Sequence, residues 1–227
     1  MTKFHYPLSN NDIVNDIEIL ARKYGTDKRV EDHGYTFYYD LFFRDMRCQH
    51  LTLLEIGVYQ GASVRMWHDY FPYATIVGLD INPACKDVEG GRIKVFIGSQ
   101  DDPVFIDELC NEYPKGFDIV IDDGSHMMSH QIKSLELLFK RVSSGGFYVI
   151  EDLSCCYEVH AGTQYRNMGN KTTMSILAEL ADKINMNGMS KANINTAMVE
   201  IDGKSDDWME HLCFMFLAKE ICFLGRR

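Results

Sequence analysis

Five short apolar runs recur between residues 51 and 152: "LTLLEIG", "ATIVGLD", "IKVFIG", "FDIVIDD" and "GFYVIED". Each ends in glycine or an acid. Their apolar residues are consecutive rather than alternating, which is the pattern of a strand buried on both faces. Stretches with helical spacing lie between them, among them "GASVRMWHDYF", "DPVFIDELCNEY" and "HQIKSLELLFKRV". Continuous apolar strands alternating with amphipathic helices predict a parallel sheet covered on both sides. Near the end, Leu212–Phe216 and Ile221–Leu224 are two apolar runs around "LAKE", the pattern of an antiparallel hairpin that closes the sheet. The predicted fold is α/β, a doubly wound, Rossmann-like sheet of seven strands, mostly parallel, with a C-terminal antiparallel hairpin.

Two helices are predicted before the first strand. "NNDIVNDIEILARKYG" has Asn10 or Asn11 as cap, Ile13, Ile17, Leu20 and Ala21 on one face, and Gly25 as its end. "YTFYYDLFFRDM" is the second. Residues 1–50 therefore read as an N-terminal helical cap and residues 51–227 as the main domain. The polar stretch at about 157–205, with a helix-like piece at "TTMSILAELADKI", reads as a lid insertion over the carboxyl edge of the sheet. A net charge of −10 argues against nucleic acid and anionic membrane as partners. No run of 18 apolar residues suggests a membrane span, and "MTKFHYPLSNND" lacks the apolar core of a signal peptide. Seven irregularly spaced cysteines, two of them adjacent at Cys155 and Cys156, fit free thiols in a reducing cytoplasm.

Four places carry candidate chemistry. "EIGVYQG", Glu55 to Gly61, joins a strand to a helix, where Gly57 and Gly61 let backbone N–H groups approach a ligand. Its spacing is not that of the dinucleotide-binding fingerprint, and Glu55 suits a cationic ligand better than a pyrophosphate; a plain strand-to-helix turn is the alternative. Asp80 ends the second strand, where an acid accepts ribose hydroxyls or caps the following "NPACKDV". In "IGSQDDP", Ser99, Gln100 and Asp101 can present donors and acceptors to an adenine edge, while Asp101 or Asp102 can cap the helix that starts at Pro103.

The fourth is "DIVIDDGSH" taken with "VIEDL". These are adjacent strand ends in the predicted sheet, at the edge where α/β proteins bind ligands. Asp123, Glu151 and Asp152 converge there and repel one another unless a positive charge sits between them. A hard divalent cation such as Mg²⁺ fills that need and keeps positions open for substrate oxygens. His126, three residues past Asp123, is then a base beside the metal, or else a surface or capping histidine. His130, a helical turn further on, reads as packed or solvated.

"LLEIGVYQGAS", "IVGLDINP", "FDIVIDDGSH" and "GGFYVIEDL" resemble the class I methyltransferases that use S-adenosylmethionine. With "KYGTDK" and "HGY", they are similar in particular to the metal-dependent sugar O-methyltransferases of macrolide biosynthesis, the mycinamicin and macrocin type. The resemblance covers roughly residues 20–155 and the final hairpin. It implies that Glu55, Gly57 and Gly61 lie beside the methionine half of the cofactor, Asp80 takes the ribose, and Gln100 and Asp101 lie near the adenine. Asp123, Glu151 and Asp152 would hold Mg²⁺ and His126 would be the general base. Asp122 orients its loop or touches the cofactor, and Thr26, Asp27 and Tyr35 close over it. The expected acceptor is a small sugar-containing molecule: a glycosylated natural product, nucleotide sugar or polysaccharide. The resemblance also implies homo-oligomers built through N-terminal helices and lids. The chain departs from the macrolide enzymes in showing no large N-terminal domain and no familiar motif in 157–205, the parts that choose an acceptor. Two other readings stand beside this one. One is a catechol-type O-methyltransferase, with Trp67, Trp208 or the Met-rich 168–198 region clamping a flat substrate. The other is a non-catalytic cofactor-binding protein.

Overall fold

The computed structural model describes residues 15–157, 171–187 and 211–227. In chain order these form α1 (Asp16–Tyr24), α2 (Tyr35–Phe43), β1 (Thr52–Ile56), α3 (Ala62–Tyr70), β2 (Thr75–Asp80), β3 (Ile93–Ile97), α4 (Pro103–Glu112) and β4 (Phe117–Asp122). Then come α5 (Met128–Leu138), β5 (Val142–Ile150), α6 (Thr173–Asn187), β6 (Leu212–Ala218) and β7 (Ile221–Arg226). The sheet has seven strands in the order β3-β2-β1-β4-β5-β7-β6. β1 to β5 are parallel, and β7 runs antiparallel to both β5 and β6. This is the predicted doubly wound sheet with its closing hairpin.

Alternation along the strands divides the core in two. Leu53, Ile76, Ile119 and Phe223 face α1, α2 and α3, where they meet Ile17, Tyr39, Phe43 and Trp67. Leu54, Val77, Val120 and Leu224 face α4, α5 and α6, where they meet Ile106, Leu135, Leu177 and Leu180. The rings of Tyr39 lie 4.9 Å from Trp67 and 5.5 Å from Phe223, so the N-terminal helices share the sheet's own core. Likewise α6, the described piece of the expected lid, packs on α5, and Thr173 Oγ1 donates to Gln131 Oε1 at 2.8 Å. The rest of that insertion lies outside the described residues. So do Asn10 and Asn11; α1 is capped instead by Asn15, whose Oδ1 accepts from Glu18 N at 2.8 Å. Gly25 ends the helix in the left-handed conformation, as expected.

The register lays three strand ends side by side. Asp123 N donates to Ile56 O, and Glu151 N donates to Asp122 O, each at 3.0 Å. Gly57 sits where the loop after β4 crosses the loop after β1, with φ at +94°. A Cβ there would lie 1.9 Å from the carbonyl oxygen of Asp123. Gly61 caps α3 with φ at +79°. Glu55 points from β1 beneath α3, fully buried, and accepts from Ser63 Oγ at 2.9 Å and Trp67 Nε1 at 3.1 Å. Burial pushes its carboxyl up to about 7, although the nearby Lys28 ammonium opposes the shift.

Two outcomes are expected. Gly57→Ala combines a backbone penalty with a collision and should cost at least about 3 kcal/mol in urea unfolding. Gly25→Ala, also left-handed (φ +70°) but with open space around it, should cost only about 1 kcal/mol. Glu55 has a folded value above its unfolded one, so its contribution is full below about pH 4.5 and is lost as the pH rises towards 7. On its account stability falls by on the order of 3 kcal/mol across that window. Glu55→Gln should lose distinctly less stability than the parent between about pH 5 and about pH 8.

Candidate active site

Asp122 and Asp123 follow one another at the end of β4, and alternation sends them to opposite faces. Asp122 turns towards α5 and is fully buried. It accepts from Ser134 Oγ at 2.5 Å, Gln100 Nε2 at 3.0 Å and Tyr148 Oη at 3.2 Å. Burial raises its carboxyl above the usual range, and those donors restrain the shift. Asp123 turns the other way, where it meets Lys28. The Lys28 ammonium lies 2.5 Å from Asp123 Oδ2, 2.7 Å from Glu151 Oε2 and 3.8 Å from Glu55 Oε1, and the lysine side chain is only 1% exposed. Burial alone would lower the lysine pKa, but the three carboxylates outweigh it and hold it well above the ordinary value. Burial raises Asp123, and raises Glu151 further with the help of Asp123's charge. The second oxygen of Glu151 accepts from the Tyr39 hydroxyl.

Beside this cluster lie Asp152 and His126. Both are non-glycine residues with left-handed backbone, φ 56° and 57°, as are Tyr59 in the glycine loop and Glu220 in the β6–β7 turn. Among the described residues these four are the only such cases, and two of them, His126 and Asp152, stand side by side at this cluster. His126 Nδ1 lies 3.5 Å from Asp152 Oδ2. The other Asp152 oxygen accepts from the Tyr35 hydroxyl at 2.9 Å. One oxygen or nitrogen from each of Asp123, His126 and Asp152 falls within 4.8 Å of the others, a spacing that suits one ion. His33, Asp152 and Glu220 make a second trio of the same kind. Carboxylate-rich donors with one imidazole fit Mg²⁺ or Mn²⁺.

Two cavities meet at Gly57 and Gly124. The smaller, about 180 Å³, is walled by Leu79, Asp80, Ile81, Gln100, Ser125 and His130. Asp80 Oδ2 accepts from Val58 N and Tyr59 N, each at 2.9 Å, and Oδ1 from Asn82 N at 2.8 Å. Burial tends to raise Asp80, but these donors hold it below the usual carboxylate range. The larger cavity, about 550 Å³, is bounded by Thr26, Asp27, Tyr59, Arg65, Asp123 and His126. Together they form an elongated slot with a polar, charged end and a more apolar end.

The predicted residues thus divide. Gly57, Asp80, Gln100, Asp123 and His126 stand on the slot, and Asp152 and Glu151 adjoin it. Glu55 and Asp122 do not reach its walls: strand alternation turns both into the core, where they brace α3 and α5. Gln100 is also a strut, since its Oε1 accepts from Ser125 N at 2.9 Å. Asp101 is held by Ser99 Oγ at 2.5 Å and meets the slot only through His130, 3.4 Å away. Asp102, not Asp101, caps α4. His130, expected to be packed or solvated, lines the smaller cavity. Tyr35 braces Asp152 rather than a ligand, and Trp67 is buried in the core, so it clamps nothing. Trp208 lies outside the described residues. Sequence reasoning misses Lys28 and Tyr39; a lysine closing "KYGTDK" and a tyrosine-rich helix are the only signals of them.

No protein-family model matches the chain. It is 40% identical over 177 residues to mycinamicin VI 2''-O-methyltransferase of Micromonospora griseorubida, covering 74% of this chain and 44% of that protein. Demethylmacrocin O-methyltransferase of Streptomyces fradiae is 38% identical over the same length and share. Among solved structures, MycE methyltransferase from the mycinamycin pathway, in complex with Mg, SAH and mycinamycin VI, matches with a TM-score of 0.77 and 32% identity. That match covers 93% of this chain and 54% of the other. The chain spans about half the length of the relatives it matches. The described residues have the fold of class I methyltransferases, and the chain is a relative of the macrocin- and mycinamicin-type sugar O-methyltransferases.

Proposed function

We propose that this protein is an S-adenosylmethionine- and Mg²⁺-dependent O-methyltransferase acting on a sugar hydroxyl of a glycosylated natural product. The observation that carries this reading is the placement of Asp123 and His126 on the wall of a slot whose other end holds Asp80. An elongated nucleoside with an amino-acid tail fits a slot pinched at Gly57 and Gly124. Asp80 is available to ribose hydroxyls in the smaller cavity, and the Asp27 carboxylate stands in the larger one to meet an ammonium group. The named activities of the relatives support the same reaction class.

Asp123, Glu151 and Asp152 would hold the divalent ion. When bound, Mg²⁺ would supply Lewis acidity beside the acceptor hydroxyl, and S-adenosylmethionine would supply the methyl group. His126 takes the hydroxyl proton. Asp152, 3.5 Å from its Nδ1, orients the imidazole. The chain's remaining contribution is alignment of the two reactants at the pinch of the slot. A third cavity of about 320 Å³ opens beside Asp152, with Leu153, Tyr157, Met174 and Leu217 on its walls. Its apolar lining supports an acceptor with an apolar aglycone over a nucleotide sugar or polysaccharide. The burial of Trp67 speaks against a flat catechol held by that ring.

His126→Ala should keep S-adenosylhomocysteine and Mn²⁺ binding within about threefold and lose about 10²–10⁴ in turnover; a parallel loss of Mn²⁺ affinity would make His126 a ligand instead of the base. Asp123→Asn should lose Mg²⁺ dependence and turnover together, and full turnover in EDTA overturns the metal role. Mass-spectrometric comparison of a glycoside, a nucleotide sugar and a catechol tests the acceptor, with methylated product expected from the glycoside.

A further inference from the structure

The acid cluster carries a cation of its own. Glu55, Asp123, Glu151 and Asp152 bring four carboxylates together, and Lys28 is the one lysine or arginine ammonium or guanidinium that reaches them among the described residues. Its side chain is buried, and its backbone is tied down: Thr36 N donates to Lys28 O at 3.0 Å, and Lys28 N donates to Thr26 Oγ1 at 3.4 Å. The ammonium therefore cannot swing into solvent without dislodging the 26–28 segment. We propose that Lys28 is the resident counter-cation of this site: it bridges Asp123 and Glu151, holds them in place when no ion is bound, and by its charge weakens the site's affinity for a divalent ion.

Lys28 acts through the carboxylates, so it is a positioning residue. The inference rests on the reading of this cluster as a metal site. Two buried carboxylates left without a cation repel each other and pay for desolvation, so the lysine stabilises the ion-free protein. A divalent ion entering the same carboxylate set comes close to a fixed positive charge, and repulsion at such a distance is worth more than a tenfold change in affinity even at an effective dielectric of about 20. Because Thr26 and Asp27 line the larger cavity, the same contact also sets one wall of the ligand slot. The arrangement is that of an exchangeable site: formed in advance, neutralised in part, and loaded weakly.

The test compares the parent chain with Lys28→Met, which keeps the stem and removes the charge, and with Tyr39→Phe, which removes the other donor to Glu151 without changing charge. Thermal midpoints are measured after exhaustive removal of metal, and Mn²⁺ dissociation constants by electron paramagnetic resonance. Lys28→Met should have a lower metal-free midpoint, bind Mn²⁺ at least about tenfold more tightly, and recover most of its lost midpoint in saturating Mn²⁺. Tyr39→Phe should lower the midpoint while leaving Mn²⁺ affinity within about twofold. Equal or weaker Mn²⁺ binding by Lys28→Met overturns the proposal, as does an unchanged metal-free midpoint. If Lys28→Met does not fold without metal, it should fold when Mn²⁺ is supplied, and failure to do so also overturns it. Absence of Mn²⁺ binding to all three proteins defeats the metal reading itself; the metal-free midpoint then decides the counter-cation role alone.

Discussion

One buried ammonium holds the centre of this molecule. Placing a lysine out of water is costly, and so is placing a carboxylate there; neither is tolerated singly. Lys28, Asp123 and Glu151 meet these costs jointly, with contacts of 2.5 and 2.7 Å, and Glu55 adds a longer-range share. Each of the four comes from a different part of the chain: the turn after α1, the end of β4, the end of β5 and the end of β1. The contact therefore does more than join two side chains. It fixes where the N-terminal helices lie relative to the carboxyl edge of the sheet, and so fixes which groups face the slot.

Strand alternation explains why two consecutive aspartates finish β4. A single acid at that point could serve only one face. Asp122 goes to the α5 face, where Ser134, Gln100 and Tyr148 hold it and where it anchors the loop that follows. Asp123 goes to the Lys28 face. The first aspartate gives the loop a rigid root, and the second presents a carboxylate at the slot. Gly57 allows that loop to cross β1's own loop at a distance no side chain could survive.

Much of this is legible in the sequence. The five apolar runs identified their strands, the terminal hairpin was visible in "LAKE", and Asp123, His126 and Asp80 fell at strand ends where ligands bind. What stayed hidden has physical causes. Glu55 stands in β1 just ahead of a glycine loop, a place that suggests exposure, but the side-chain period of two sends it under Trp67. Lys28 has its partners 95 and 123 residues away, and no local pattern encodes such a pairing. The need for a positive charge among the acids was legible; that a lysine already supplies part of it was not. His130 packs between Ser125 and Asp101, and its place on the cavity wall follows from the docking of α5, which no local pattern shows.

The separation between Lys28 and Glu151 bears on how the protein is made. Lys28 leaves the ribosome 123 residues ahead of the glutamate it pairs with, and until β5 emerges the nascent chain holds an incomplete charge set. The first helices and β1 to β3 can collapse by then, but the edge that carries the slot cannot close. Synthesis at about 5–20 residues per second leaves this interval open for roughly 6–25 seconds, during which the tyrosine-rich face of α2 has no β7 to cover it. A nascent chain of this kind is exposed to chaperones and to aggregation around α2, and the late pairing with β5 and β7 is the step that ends the exposure.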